Sequence, residues 1–388
     1  MALVLLVGAG LMVRSFQSLR HVRPGFERPE EVLTLRLSIP DGEVREPERV
    51  LQTHERIADA LKAIPGVASV GMSSSITMDG SDSNDAVYVE DKPTPAGQIP
   101  PIRRFKWISP GYFETMGATL LAGRTMTWSD IDRRAPVVLL SENLAREYWA
   151  TPAAALGKRV RSNTDGPWYE VIGIVADERD DGVEKAAPAV AYWPMATGTA
   201  GSKDSDVRRS MGYAIRTTRL GDAGFEAEVR RAVWSVNANL PLANVRTLAE
   251  LLKRSMARTT FAMVMLGIAA MVALLFGAIG IYSVISYTVS LRTRELGLRM
   301  ALGAQQSDVS WLVLRKGLML VAAGVAIGLA ASAALTRLMS ALLHGVSPLD
   351  PLTYGLVALA LTVIALLASY LPARRAASIN PLDALRWE

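Results

Sequence analysis

The residues that could carry out phosphate chemistry do not occur at the necessary spacing in this sequence of 388 residues. A phosphate-binding loop needs a glycine, four further residues, and then Gly-Lys followed by Ser or Thr. The one Gly-Lys pair, Gly157-Lys158, is followed by Arg159 and has no glycine at the upstream position. This chain therefore cannot hydrolyse ATP by that route.

Nucleophilic and metal chemistry are also poorly supported. The segment 71–75 begins as Gly-x-Ser, like a nucleophile elbow, but ends in Ser75 instead of glycine. His21, His54 and His344 are scattered without the spacing of zinc ligands, and there is no cysteine. We predict no catalytic residue, no metal, no cofactor, and hence no enzyme.

One acidic segment leaves two interpretations open. It contains five carboxylates, at Asp177, Glu178, Asp180, Asp181 and Glu184. Carboxylates at such short intervals could hold a calcium ion. The interpretation that the sequence favours is a solvated acidic loop.

Three long stretches in the last third of the chain, residues 259–291, 317–336 and 351–373, contain no Asp, Glu, Lys or Arg. Each is close to or above the roughly 20 residues that a helix needs to cross a bilayer. We therefore predict transmembrane helices at about 260–290, 316–337 and 351–373.

The N-terminal apolar run, residues 1–13, is too short to span a bilayer. It fits a signal-peptide core, a short membrane-associated helix, or the outer part of a truncated first transmembrane helix. We favour the truncated helix, because an apolar helical stripe continues through Phe16, Leu19 and Val22. Residues 1–22 would then form a span and a stalk.

The distribution of basic residues predicts the orientation of the chain in the membrane. The segment 292–316 and the C-terminal tail are rich in arginine, whereas the loop 337–350 contains a single arginine. Short loops rich in Lys and Arg stay in the cytoplasm, so the segment 291–315 and the tail face inward. The long segment 14–258 then faces outward.

The net charge of +5 could suggest a nucleic-acid partner, but no aromatic-basic stripe accompanies it. Arginines beside membrane spans explain the charge instead, so no nucleic acid is predicted. The spans also carry no ionisable residue at depth, which argues against a proton- or sodium-coupled carrier.

Two local signals concern the predicted spans. Asp350 can cap the last helix, with Pro351 at its first position. In the preceding span, Gly324 and Gly328 form a small-residue motif that predicts close helix packing. The motif leaves open whether the packing is within this chain or with a second membrane protein.

The outward segment is predicted to be an α/β insert of two subdomains. Strand-helix-strand patterns occur at residues 32–72 and again at 213–245, and such paired units commonly make a split βαβ sheet. We assign 23–84 plus 211–254 to this outer subdomain and 85–210 to an inserted α/β subdomain. A C-terminal domain then covers 255–388.

The loop between the second and third spans contains a short amphipathic helix. Leu296 and Met300 lie one turn apart, Glu295 and Arg299 can pair, and Gly303 can end the helix. It fits a helix lying on anionic lipid. It also fits a coupling helix, which binds a cytoplasmic ATPase and transmits its motion to the spans.

Two long motifs carry a family resemblance. Residues 293–304 read TRELGLRMALGA and residues 371–386 read LPARRAASINPLDALR. Together they resemble the MacB/FtsX-type permeases of ABC transporters, and the resemblance covers essentially the whole chain. It implies an α+β membrane protein with one span, a large periplasmic core domain, and three further spans. The implied location is the bacterial inner membrane.

The resemblance also implies a function and partners. A cytoplasmic ABC ATPase would drive a pair of permeases so that their periplasmic domains export or extract a substrate, with membrane lipid and a periplasmic adaptor as further partners. The resemblance assigns ATPase coupling to Arg294, Glu295, Leu296, Arg299, Met300, Leu302, Gly303 and Ala304. The alternative is an ATPase-driven regulator that activates an envelope hydrolase without transport. The same features also fit the second half of a duplicated permease.

Overall fold

The computed structural model describes the chain except for residues 96 and 203 and the segments 293–294, 296–304, 339–344 and 378–388. It contains two compact units. One is Arg23–Ala257, and the other combines Met1–Val22 with Arg258–Glu388. We call them the sheet unit and the helical unit.

The described helices are α1 (Ala2–Arg20), α2 (Pro47–Lys62), α3 (Tyr112–Met116), α4 (Trp128–Asp132), α5 (Glu142–Tyr148), α6 (Phe225–Val236), α7 (Leu248–Ser255), α8 (Ala257–Leu291), α9 (Gln306–Leu338) and α10 (Pro351–Ala377). Two 3-10 turns lie at Pro29–Glu31 and Pro152–Ala155.

The described strands are β1 (Val32–Ser38), β2 (Val67–Ser73), β3 (Asn84–Ala86), β4 (Tyr88–Val89), β5 (Ile102–Ile108), β6 (Leu120–Gly123), β7 (Val137–Ser141), β8 (Arg159–Arg161), β9 (Tyr169–Val175), β10 (Val190–Pro194), β11 (Ala196–Thr197), β12 (Asp206–Val207), β13 (Ser210–Thr217) and β14 (Ala243–Thr247).

Three helical stretches of the described chain are long and apolar enough to cross a membrane: Ala2–Arg20, Thr259–Leu291 and Pro351–Pro372. The N-terminal helix thus continues beyond the apolar run that the sequence shows. In α9 the apolar part, Val321–Arg337, is shorter. The count of four spans therefore stays a prediction.

Two interleaved strand-helix-strand units build one end of the main sheet. β1, α2 and β2 form the first unit, and β13, α6 and β14 form the second. The strand order β14-β1-β13-β2 places every strand beside an antiparallel neighbour from the other unit. Since each unit supplies alternate strands, neither could form this sheet without the other.

The main sheet continues into the inserted segment. β2 meets β5 through a single aligned pair, Ser73 with Ile108, and the order then runs β5-β10-β7-β9-β8-β4. Two short strands of the insert lie close together in sequence but pair with different neighbours, β3 with β5 and β4 with β8. The division into two subdomains stays a prediction, since one sheet crosses the assigned boundary.

Both faces of the inserted part are covered. In β7, Val137 and Leu139 join one hydrophobic core, whereas Val138 and Leu140 join a second. Successive side chains of a strand point to opposite faces, so a strand buried on both sides must be apolar at every position. The first core also contains Ile57 of α2 and Val229 of α6, and it therefore extends under the interleaved units.

His54 of α2 is fully buried against β13. Its Nδ1 accepts a hydrogen bond from the Tyr213 hydroxyl at 2.7 Å, and its Nε2 lies 3.0 Å from the Arg208 carbonyl oxygen. A carbonyl only accepts, so Nε2 carries the proton. Burial lowers the pKa of His54 to about 4, and the backbone carbonyls of Arg208 and Arg209 offset this only in part. The ring is therefore neutral at pH 7.

This neutral histidine predicts a loss of stability in acid. Between pH 6.5 and pH 4 the unfolded chain binds a proton at His54 that the folded chain does not bind, so the free energy of unfolding falls as the pH falls. In His54→Gln, which keeps an N–H group to donate to Arg208, this component is absent. We expect wild type to lose about 2 kcal/mol more than the variant between pH 7.5 and pH 4.5. Thermal unfolding of the purified chain in detergent measures the difference, and identical pH profiles would contradict the assignment.

Candidate functional site

The N-terminal helix α1 packs into the helical unit. Leu3, Val7 and Leu11 are almost fully buried, and residues of α9 and α10 such as Leu329 and Tyr354 pack against them. These three residues recur every four positions, which places them on one face of the helix. The opposite positions of α1 do not contribute to this cluster.

The two predicted packing glycines have different surroundings. A Cβ added to Gly328 would lie 3.1 Å from the Cβ of Leu3, so α1 and α9 approach closely there. A Cβ on Gly324 would have no atom within 4 Å. Gly324 lines an apolar cavity of about 740 Å³, which α8 borders on the other side at Gly277 and Ile281. The roles of both glycines in packing remain predictions.

Helix α8 contains the least buried of the three described stretches that could cross a membrane. Only 6% of its most apolar window is buried, and large side chains such as Phe261, Met271 and Phe276 are more than half exposed. Exposed apolar surface on this scale requires lipid or another protein around it. Within the described chain α8 is therefore mostly uncovered, whereas one face of α1 is buried against α9 and α10.

Polar contacts hold one end of the helical unit together. The Asp350 carboxylate accepts a hydrogen bond from the Thr353 backbone N–H at 2.8 Å, which confirms the predicted cap of α10. Arg14 of α1 forms an ion pair with the same carboxylate. One turn earlier on α1, a Cβ on Gly10 would lie 2.8 Å from Thr353 Cγ2. Sequence analysis did not identify this close approach, because it depends on a partner more than 300 positions away.

Most residues of the predicted coupling helix lie outside the described residues: Arg294, Leu296, Arg299, Met300, Leu302, Gly303 and Ala304. Glu295 is described. Its carboxylate is about half exposed and lies 4.0 Å from the Arg292 guanidinium. The segment thus joins the end of α8 at Leu291 to the start of α9 at Gln306.

A buried cluster of charges lies in the sheet unit, beside the junction of β2 and β5. Lys106 is fully buried, and its Nζ lies 2.7 Å from Asp180 Oδ1 and 3.2 Å from Glu178 Oε2. Arg104, two positions earlier on β5, contacts Asp180 Oδ2 at 2.6 Å. The Thr77 hydroxyl, on the loop after β2, donates to Glu178 at 2.7 Å.

The charges of this cluster stabilise one another. Burial alone would lower the pKa of Lys106, but the Asp180 and Glu178 carboxylates hold that pKa well above its usual range. Burial also raises the pKa of Tyr112 and Tyr192 beside the cluster. Removing one partner of a buried ion pair typically costs about 3–5 kcal/mol, because the other charge stays buried. The cluster therefore fixes β5 to the loops after β2 and β9.

This cluster corrects the interpretation of the acidic segment. Glu178 is fully buried and Asp180 is 5% exposed, so a solvated loop is wrong for these two residues. No group of residues that could hold a metal ion occurs among the residues described. The signal in the sequence was the placement of Arg104 and Lys106 two positions apart on β5, which puts both cations on one face of the sheet, where burial requires counter-charges.

Two family models match the chain. The model of the MacB-like periplasmic core domain matches residues 1–229, and the model of the FtsX-like permease C-terminal domain matches residues 267–381. The chain belongs to the MacB/FtsX-type family of ABC transporter permeases. The permease carries the two domains in the order that its motifs predicted.

Curated relatives of the permease are named as macrolide export ATP-binding/permease proteins MacB. One from Yersinia pestis is 27% identical over 287 residues, and one from Chromobacterium violaceum is 28% identical over 283 residues. The first alignment covers 72% of the permease and 43% of its relative. The second covers 71% and 42%. The permease thus spans less than half the length of these relatives.

Among solved structures, the permease is similar to the periplasmic region of MacB from Actinobacillus actinomycetemcomitans. The sequence identity is 16% and the TM-score is 0.38, and the match covers 62% of the permease and 97% of the solved chain.

The contrast between the two glycines is testable. In Gly328→Val the new side chain must displace Leu3, whereas in Gly324→Val it enters the cavity, and both changes place the same residue in the same helix. Overpacking costs about 1–3 kcal/mol, so we expect Gly328→Val to be the less stable variant by about that amount. Thermal unfolding of both variants in detergent measures it. Equal stabilities would show that α1 and α9 do not pack closely at this point.

Proposed function

We propose that this permease transmits the motion of a cytoplasmic ABC ATPase to an extracytoplasmic domain, which exports or extracts a substrate. The single observation that carries the proposal is the match of both family models across the chain. The proposal places residues 1–22 and 255–388 in the inner membrane and residues 23–254 outside it.

The contacts at one end of the helical unit support this topology. Arg14 lies near the end of α1 that leads into the sheet unit, and it pairs with Asp350 at the start of α10. The loop before Asp350 and the sheet unit then share the outer side of the membrane. Because α9 and α10 both leave that side, the basic segment 291–315 emerges on the cytoplasmic side, where the positive-inside rule also puts it.

Short connections support mechanical coupling. One residue, Met256, separates α7 of the sheet unit from α8, and α1 ends at Arg20, close to the start of the sheet unit at Arg23. A long flexible linker would absorb a displacement of α1 or α8, whereas such short tethers pass it on. The buried cluster around Lys106 favours movement of the sheet unit as one body.

The partners follow from the same scheme. The ATPase would bind the amphipathic segment around Leu296, and the exposed face of α8 would meet lipid or the second permease of a dimer or pseudo-dimer. A periplasmic adaptor would meet the sheet unit.

The coupling segment provides the direct test. Leu296→Asp places a charge on the apolar stripe of the predicted coupling helix, so we expect it to abolish association with the ATPase. Leu296→Met keeps the side chain apolar and serves as the matched control. Co-purification of the ATPase from membranes measures association, and the amount of permease in the membrane fraction checks insertion. Retained association in Leu296→Asp would count against the proposal. An ATPase-driven regulator that transports nothing would use the same contact. The test therefore addresses coupling to the ATPase and does not distinguish a transporter from such a regulator.

A further inference from the structure

A polar pocket of about 320 Å³ opens in the sheet unit where β1, β2, β5 and β13 come together. Three arginines line it, Arg36, Arg208 and Arg209, together with five serines and Trp107. Pockets of this size hold small molecules or headgroups. The excess of cationic and hydroxyl groups indicates which chemistry the pocket would accept.

Arg208 is the least compensated of the three cations. Its nearest carboxylate, Asp206, is 3.8 Å away, and its buried Nε has no hydrogen-bond partner among the described residues. Burial lowers the pKa of Arg208, and Asp206 offsets this only in part. Arg36 and Arg209, by contrast, each have a carboxylate within 3 Å, at Asp79 and Asp41.

The position of Arg208 is fixed by its surroundings. Its guanidinium carbon lies 3.5 Å from the centre of the Trp107 ring, an arrangement that favours a cation. Its backbone N–H donates to the Met195 carbonyl at 3.0 Å, and its carbonyl accepts from His54. Little conformational entropy is therefore left to lose when a ligand binds the side chain.

The serines supply further donors. Arg36 donates to the hydroxyl oxygens of Ser81, at 3.2 Å, and Ser210, at 3.5 Å. The Trp107 backbone N–H donates to Ser74 Oγ at 3.1 Å. Because these oxygens accept, each hydroxyl keeps its own hydrogen to donate to something else.

Ser75 is an independent indication of a missing ligand. It is 3% exposed, it lines the pocket, and its hydroxyl has no partner in the described part of the chain. A buried hydroxyl without a hydrogen bond is costly, so such a group usually has a ligand or an ordered water as partner. One carboxylate, Asp82, also lines the pocket, but it accepts from Asn84 at 3.1 Å and lies 3.6 Å from Arg104. The negative charge of Asp82 is thus partly compensated by Arg104 and Asn84, which do not line the pocket.

We infer that this pocket binds a phosphate group of a small extracytoplasmic molecule or of a lipid headgroup, with Arg208 as the principal cation and Ser75 as a hydroxyl donor. A tetrahedral oxyanion has enough acceptor sites for a guanidinium and several hydroxyls that surround it. The pocket volume leaves room for the remainder of the ligand. The inference concerns the sheet unit alone and does not depend on ATPase coupling.

The test uses the full chain in detergent, in a buffer without phosphate and at constant chloride. Isothermal titration with inorganic phosphate probes the free anion. Titration with a short-chain phosphatidic acid probes the headgroup, and the matching diacylglycerol, which has no phosphate, controls for its acyl chains. Binding of inorganic phosphate supports a soluble ligand, and binding of phosphatidic acid alone supports a lipid. If neither probe binds, the inference is wrong.

Variants assign the binding to the pocket. Arg208→Gln removes the charge, and we expect its affinity for the bound probe to fall about tenfold or more. Arg146→Gln is the matched control, since Arg146 lies on α5 and pairs with Glu142 outside the pocket. Equal weakening in both variants would overturn the inference.

Ser75→Ala removes an unpaired buried hydroxyl, so we expect unchanged or higher thermal stability together with weaker binding. Unchanged binding in a folded Ser75→Ala variant would exclude this serine as a donor.

Discussion

Three uncharged stretches of the helical unit, residues 259–291, 317–336 and 351–373, constrain everything else in this protein. Each unpaired charge or open backbone group in hydrocarbon costs several kcal/mol, and helices satisfy their backbone internally. The stretch Thr259–Leu291 has almost no burial within the chain, so lipid or another protein must cover it. The proposed topology follows from this, with the basic segment between α8 and α9 on one side of the bilayer and the sheet unit on the other.

The sheet unit is organised around a narrow junction. β2 and β5 are aligned at one residue pair, yet the hydrophobic core and the main sheet both continue across it. The ion pairs of Lys106 and Arg104 with Asp180 strengthen the same place. A domain that must pass on a displacement needs stiffness where its two halves meet, and packed cores of this kind transmit strain. The contacts at the junction of β2 and β5 thus stabilise the fold and also support the proposed coupling.

Sequence reasoning was most successful where the signal is local. The strand-helix-strand pattern that begins at residue 32 and the cap at Asp350 both depend on neighbours within a few positions, and the structure contains β1, α2 and the cap. It failed where the partner is distant in sequence. The burial of Glu178 depends on a lysine 72 positions earlier, and the pocket at Arg208 combines five separate segments. The assignment of ATPase coupling to the segment from Arg294 to Ala304 stays a prediction from its motif, and of these residues the structure describes only the half-exposed Glu295.

The sidedness of the segment between α8 and α9 tests the account most directly. The chain has no cysteine, so a single cysteine can be introduced at Arg299 in one variant and at the exposed Asp165 of the sheet unit in another. Both are then exposed to a membrane-impermeant maleimide on intact spheroplasts. The account predicts that Asp165→Cys is labelled at once and that Arg299→Cys is labelled only after the membrane is opened. Labelling of Arg299→Cys in intact spheroplasts would contradict it, because no cytoplasmic ATPase could then reach the segment.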